Sequence, residues 1–207
     1  MLAAKLAPKY RYENCAVVCL NDGGVMVGAQ IAMQLHTVLT MLQTAEIDLP
    51  MEPEAIGGLT ESGGFSYNPA YQKGELDELT SEFFQYIEAE KLSKLSKMHY
   101  LVHEGPIIDE HLLRGRNIIV VSDGLKTSFQ LDIALQYLKP ISYEKLIVAV
   151  PLASVEAVDR MHIIADELYC LSVIPDYLDT DHYYEQHDVP SHDKVIEVIE
   201  KIVYNWK

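Results

Sequence analysis

Residues Asn117–Lys139 read NIIVVSDGLKTSFQLDIALQYLK, and three textures follow one another within that stretch. Asn117–Val121 is short, apolar and β-branched, the composition of a strand buried on both faces. Ser122–Ser128 is a loop carrying an acid, Asp123, and a glycine, Gly124. Beyond it apolar residues recur at helical spacing through Leu138. Strand, glycine-bearing loop and helix form the first part of a parallel βαβ unit, and in such sheets ligands gather where strands end and helices begin.

The same alternation runs through the rest of the chain. Upstream, the apolar run Cys15–Leu20 ends in Asn21-Asp22-Gly23-Gly24; a helix is expected over Val25–Leu39 and a second strand over Val38–Gln43. Residues Leu49–Tyr71 are rich in Gly and Pro and read as one or two strands between loops. Leu76, Leu79, Phe83, Ile87, Leu92, Leu95 and Met98 predict one long amphipathic helix over Glu75–Leu101. Downstream, strands are expected at Leu146–Val150 and Leu168–Ile174 with a helix at Val155–Ala165 between them. Ser191 is placed to cap a final helix whose apolar face carries Val195, Ile199 and Ile202. Short buried strands alternating with helices imply an α/β fold, a doubly wound and mostly parallel sheet. With no repeat and no long linker, residues 1–207 read as a single domain, and the tail 176–207 as a small lid or hood with a last helix.

Charge narrows the partners. The net charge of −15 disfavours nucleic acid and anionic membranes. Between Arg11 and Lys73 there is no lysine or arginine, so an anion held in that third would need helix N-termini or a metal ion. Three cysteines, two of them in an apolar run, read as buried thiols. No signal-peptide pattern opens the chain and no apolar run reaches the roughly 18 residues of a membrane span. A cytoplasmic protein is expected, with homo-oligomerisation left open.

The segment Asn117–Lys139 resembles the phosphoribosyl-pyrophosphate loop of type I phosphoribosyltransferases, in which two acids hold the ribose hydroxyls and a Thr-Gly-x-Thr turn cradles the 5′-phosphate. The likeness extends along the chain. LNDGG (20–24) is similar to that family's pyrophosphate loop, and EAIGGLTESGG (54–64) to its Ala-Ile-Gly strand; IVAVPLASVEAV (147–158) and ADELYCL (165–171) fall in family order. His182-Tyr183-Tyr184 and Ser191 resemble the tail of a bacterial subfamily of predicted phosphoribosyltransferases. The resemblance implies a ligand loop of Ser122, Asp123, Gly124, Leu125, Lys126, Thr127 and Ser128, and a pyrophosphate-loop position at Asn21, Asp22, Gly23 and Gly24. It implies a lid containing Tyr183 and Tyr184, and Mg²⁺ as the cofactor if transfer occurs.

Against that pattern, Asp22 stands where the pyrophosphate-loop arginine is expected. Ser122 replaces the first acid, and Ser128, Phe129 and Gln130 replace Gly-x-Thr. Gln43, Thr44 and Ala45 occupy the neighbourhood where basic residues are expected. Loss of several charge-stabilising groups together argues against pyrophosphate departure. Two functions follow. One is a degenerate site that binds a nucleotide-like or phosphoribosyl ligand with weak or no transfer. The other is an active, divergent phosphoribosyltransferase using a nucleobase and Mg²⁺.

Simpler roles stay open for the same residues. Asp22 and Thr127 could cap helices, Asp123 could form an Asx-turn, and the tyrosines could pin the tail by packing. His182, His187 and His192 recur every five residues, a spacing that neither stacks on one helical face nor matches a zinc site, so no metal centre is expected there. Gly23, Gly24 and Gly28 lack the Gly-x-Gly-x-x-Gly spacing of a dinucleotide loop, and no glycine directly precedes the Lys126-Thr127 pair as in a P-loop.

Overall fold

The computed structural model describes residues 1–102, 110–186 and 188–205. Its central sheet is built from β1 (Cys15–Cys19), β2 (Val38–Met41), β6 (Asn117–Val121), β7 (Lys145–Ser154) and β8 (Glu167–Ile174). Their order is β2-β1-β6-β7-β8, and every pairing among them is parallel. A second, three-stranded antiparallel sheet joins β3 (Thr44–Ile47), β4 (Gly57–Thr60) and β5 (Phe65–Tyr67) in that order.

Helices cover the parallel sheet on both faces, which is why its inner strands are continuous apolar runs. Side chains alternate across a strand. Cys15, Val17 and Cys19 of β1, with Ile119 and Val121 of β6, therefore pack toward α1 (Leu2–Tyr10), α2 (Asp22–Leu35) and α7 (His192–Asn205). Ala16 and Val18, with Ile118 and Val120, pack toward α5 (Phe129–Leu138) and α6 (Val155–Ile164). Cys15↔Asn117 through Cys19↔Val121 are in register, so β1 and β6 end side by side. The two loops singled out in the sequence therefore share one edge of the sheet.

Several boundaries differ from expectation for identifiable reasons. Helix α2 begins at Asp22 rather than Val25, because Asn21 caps it by accepting the Gly24 N–H at 2.6 Å. It ends at His36, held in the left-handed region at φ 56°. Helix α1 went unread: Pro8 lies inside it, and proline normally argues against a helix interior. Even so, Leu2, Leu6 and Tyr10 give it a buried face. The long helix is two, α3 (Lys73–Glu82) and α4 (Phe84–Val102), broken at Phe83, whose backbone leaves helical geometry (φ −99°, ψ 17°) while its ring packs against the small sheet's core. Leu92, expected on the apolar face, is exposed.

Strand β7 continues past Pro151 instead of stopping at Val150. Proline is tolerated where a strand edge needs no donor. Beyond the end of β6, that edge pairs with Leu125: the Leu125 N–H donates to the Leu152 carbonyl at 3.0 Å and the Leu125 carbonyl accepts from Ser154 N–H at 2.9 Å.

Candidate functional site

The loop after β1 and the loop after β6 are interlocked. Asn21 Nδ2 donates to Asp123 Oδ1 at 2.9 Å and to Ser122 Oγ at 3.2 Å. Ser122, fully buried, donates to the Gly124 carbonyl at 2.9 Å. Gly23 and Gly24 are needed for this approach. A Cβ on Gly23 would run into the Asp123 carboxylate, and one on Gly24 into the Asn21 side chain and the Ser122 backbone. Asp123 is consequently buried against α2.

The tail closes over the same loops from outside. Tyr184 Oη donates to the Asp123 carbonyl at 2.7 Å, and burial, with the Asp123 charge adding to it, pushes its phenol up to about 12. Tyr177 Oη and Thr180 occupy the space a Cβ on Gly124 would need. Tyr183 does something else. It accepts the Leu178 N–H at 3.1 Å and donates to the Asp176 carbonyl at 3.0 Å, bracing the tail's own turn. The paired tyrosines thus split, one onto the loop and one onto the tail.

Asp22, the first residue of α2, meets His192 Nδ1 at 2.9 Å. The other ring nitrogen, Nε2, lies 2.9 Å from Gln43 Nε2, while Gln43 Oε1 is buried without a hydrogen-bond partner. His182 packs edge-on against Tyr183 instead, and His187 lies outside the described residues.

A cavity of about 340 Å³ opens beside these loops. Gly23 lines it from the first turn of α2, Asp123 from the loop after β6, and Pro151 and Leu171 from within β7 and β8; Met26 and Ile31 add an apolar wall, and Tyr184 and Val189 a roof. Lys126, Thr127 and Ser128 do not reach it. They line a separate groove of about 470 Å³ between α5 and the small sheet. Leu125 divides the two, because its backbone is committed to β7 and its side chain is buried. Ser128 occupies the N-cap position of α5 without a capping bond from its side chain. Its hydroxyl turns to Glu156 at 3.4 Å.

Sequence reasoning missed Tyr177 and Thr180 as parts of this site, and His192 as the partner of Asp22 and Gln43. The only signal for His192 was its place next to the cap of the last helix, since nothing local joins residues 170 positions apart.

A doubly wound parallel sheet with a cavity beside the loops that follow β1 and β6 defines an α/β protein with a pocket where such folds place their ligand sites. The sequence pattern of the Phosphoribosyl transferase domain matches residues 1–186, and the chain belongs to that family. It is 26% identical over 201 residues to the Mycobacterium tuberculosis protein named "Putative phosphoribosyl transferase Rv0571c". The match covers 97% of this chain and 44% of that protein, so the chain spans less than half the length of this relative. The crystal structure of TT1426 from Thermus thermophilus superposes with a TM-score of 0.73 at 26% identity, over 97% of this chain and 93% of that one. Among the described residues, no helix is long and apolar enough to cross a membrane.

Proposed function

We propose that this phosphoribosyltransferase-type domain, residues 1–207 with the tail 176–207 as its lid, binds a nucleotide-like or phosphoribosyl ligand in the cavity beside Gly23 and Asp123, with weak or no transfer activity. The observation that carries the reading is the pairing of Asp22 with His192. Where the family resemblance expects a cation for pyrophosphate, this chain presents a carboxylate whose hydrogen-bond partner is His192 of its own tail.

Mg²⁺ fits poorly here. Asp22 is engaged by His192, Asp123 by Asn21, and Ser122 replaces the first acid. Hard divalent cations take several oxygen ligands, carboxylates above all, and these two carboxylates are already held by His192 and Asn21. The residues that would act on a ligand are Asp123 toward sugar hydroxyls, Tyr184 as the roof, and the apolar wall at Met26 and Ile31 toward a flat group. A cytoplasmic setting is part of the same reading.

Melting curves with phosphoribosyl pyrophosphate and with mononucleotides test binding. A ligand at a hundred times its dissociation constant stabilises by about 2.7 kcal/mol. Pyrophosphate release with common nucleobases and Mg²⁺ tests transfer, and little or none is expected. Asp22→Arg with Ser122→Asp, the two departures nearest the cavity, should strengthen phosphoribosyl pyrophosphate binding in calorimetry. Brisk turnover by the wild-type chain would overturn the reading in favour of an active, divergent enzyme.

A further inference from the structure

The groove under Lys126–Ser128 has a lining unlike that of the cavity. Glu46, Asp48, Glu54, Asp132 and Glu156 reach it from the small sheet, the following loop, α5 and α6, against only two cations, Lys126 and Arg160. Between the carboxylates lie apolar surfaces, from Pro53, Ala55, Pro69 and Phe129.

Two carboxylates are already balanced. Lys94 stands 3.7 Å from Asp48, and Arg160 Nε donates to Asp132 Oδ1 at 2.9 Å. That second pair leaves a remainder. Asp132 is 8% exposed, and its Oδ2 is buried with no hydrogen-bond partner. A buried carboxylate oxygen without a donor is costly, and natural proteins rarely leave one unless something else supplies the donor. Glu46 and Glu54 carry no ion pair among the described residues. Burial, with Asp48 beside it, pushes the Glu46 carboxyl above its ordinary range despite the opposing pull of Lys94.

We propose that this groove is a binding site for a flexible di- or triamine, whose ammonium groups meet the spaced carboxylates while its methylene segments lie along the proline, alanine and phenylalanine surface. The spacing favours such a ligand over a metal ion. Among the described residues no three side chains of His, Cys, Asp or Glu converge to hold one ion, and a chain of separated charges can use carboxylates that a point charge cannot. Inorganic phosphate is disfavoured by the same acids. The site does not rest on the transfer-deficient reading above, because it shares no lining residue with the cavity beside Gly23.

Calorimetry with spermidine, putrescine, Mg²⁺ and inorganic phosphate, each at fixed ionic strength, tests it. Saturable binding of one spermidine per chain is expected. It should weaken at least tenfold in Glu46→Gln/Glu54→Gln and stay unchanged in Glu78→Gln/Glu82→Gln, which removes equal charge from exposed α3. If replacement of half-buried Glu46 impairs folding, Glu54→Gln/Glu156→Gln alters two exposed residues and reads the same effect. Three results would overturn the proposal: no saturable spermidine binding, equal weakening in the α3 control, or an equally variant-sensitive isotherm with Mg²⁺ or phosphate. A phosphoribosyl pyrophosphate titration addresses the cavity alone, so its failure leaves this site standing.

Discussion

On one side of Leu125, the residues after β6 are closed. Ser122 is fully buried, Asp123 is bound to Asn21, and Gly124 lies under Tyr177 and Thr180. On the other side, Lys126, Thr127 and Ser128 face an acid-lined groove. The resemblance treats these seven residues as one cradle running from ribose to 5′-phosphate. Here a strand-like contact to β7 cuts the segment, and its halves serve spaces of opposite character. The difference teaches that a loop's chemistry depends on where its backbone hydrogen bonds are spent as well as on its side chains.

Three substitutions break or sharpen that contrast. Leu125→Ala, which leaves a hole at the divider, should cost about 2–5 kcal/mol in denaturant unfolding. It should also raise amide exchange on both sides at once; exchange confined to one side would mean Leu125 does not link them. Gly23→Ala should act on the closed side only. Its methyl meets the Asp123 carboxylate, an overpacking cost of about 1–3 kcal/mol. Alanine's better helix propensity returns up to about 1 kcal/mol. A net loss with spermidine binding unaltered is expected, and a gain in stability would show that Asp123 moves aside freely.

Tyr184→Phe is the mildest, removing one hydrogen bond for about 0.5–1.5 kcal/mol. It also has a pH signature. The folded phenol is raised to about 12 from 10.0, so in the window between those values the unfolded chain has lost the proton that the folded chain keeps. Stability contributed by this group is complete below the lower value and falls as pH rises through the window. The phenylalanine variant should lose less stability than wild type between them, measured by unfolding at stepped pH.

The parallel sheet was legible because its inner strands are buried on both faces, and such strands announce themselves as unbroken apolar runs. CAVVC and NIIVV could hardly be anything else. The break at Phe83 was not legible, since the apolar spacing continues through it and only packing against the small sheet distinguishes two helices from one. Helix α1 was masked by Pro8. The facing loops that carry Gly23 and Asp123 were legible because glycine turns and strand-end acids are local signals. Tyr177 on Gly124 and His192 on Asp22 are contacts between distant segments, which neither spacing nor composition encodes. The separation of Lys126–Ser128 from Asp123 depends on Leu125 meeting Ala153, a pairing that no run of residues reveals.

The pinning of the tail also has a consequence for the order of assembly. Tyr184 and His192 leave the ribosome after every strand of the parallel sheet, so a growing chain passes through a stage in which the sheet can form and its cavity has no roof. During that interval Asp22 lacks its imidazole and the Asp123 carbonyl lacks its phenol. The cavity therefore gains its roof only after the sheet beneath it has formed, when the tail docks through Tyr184 and His192.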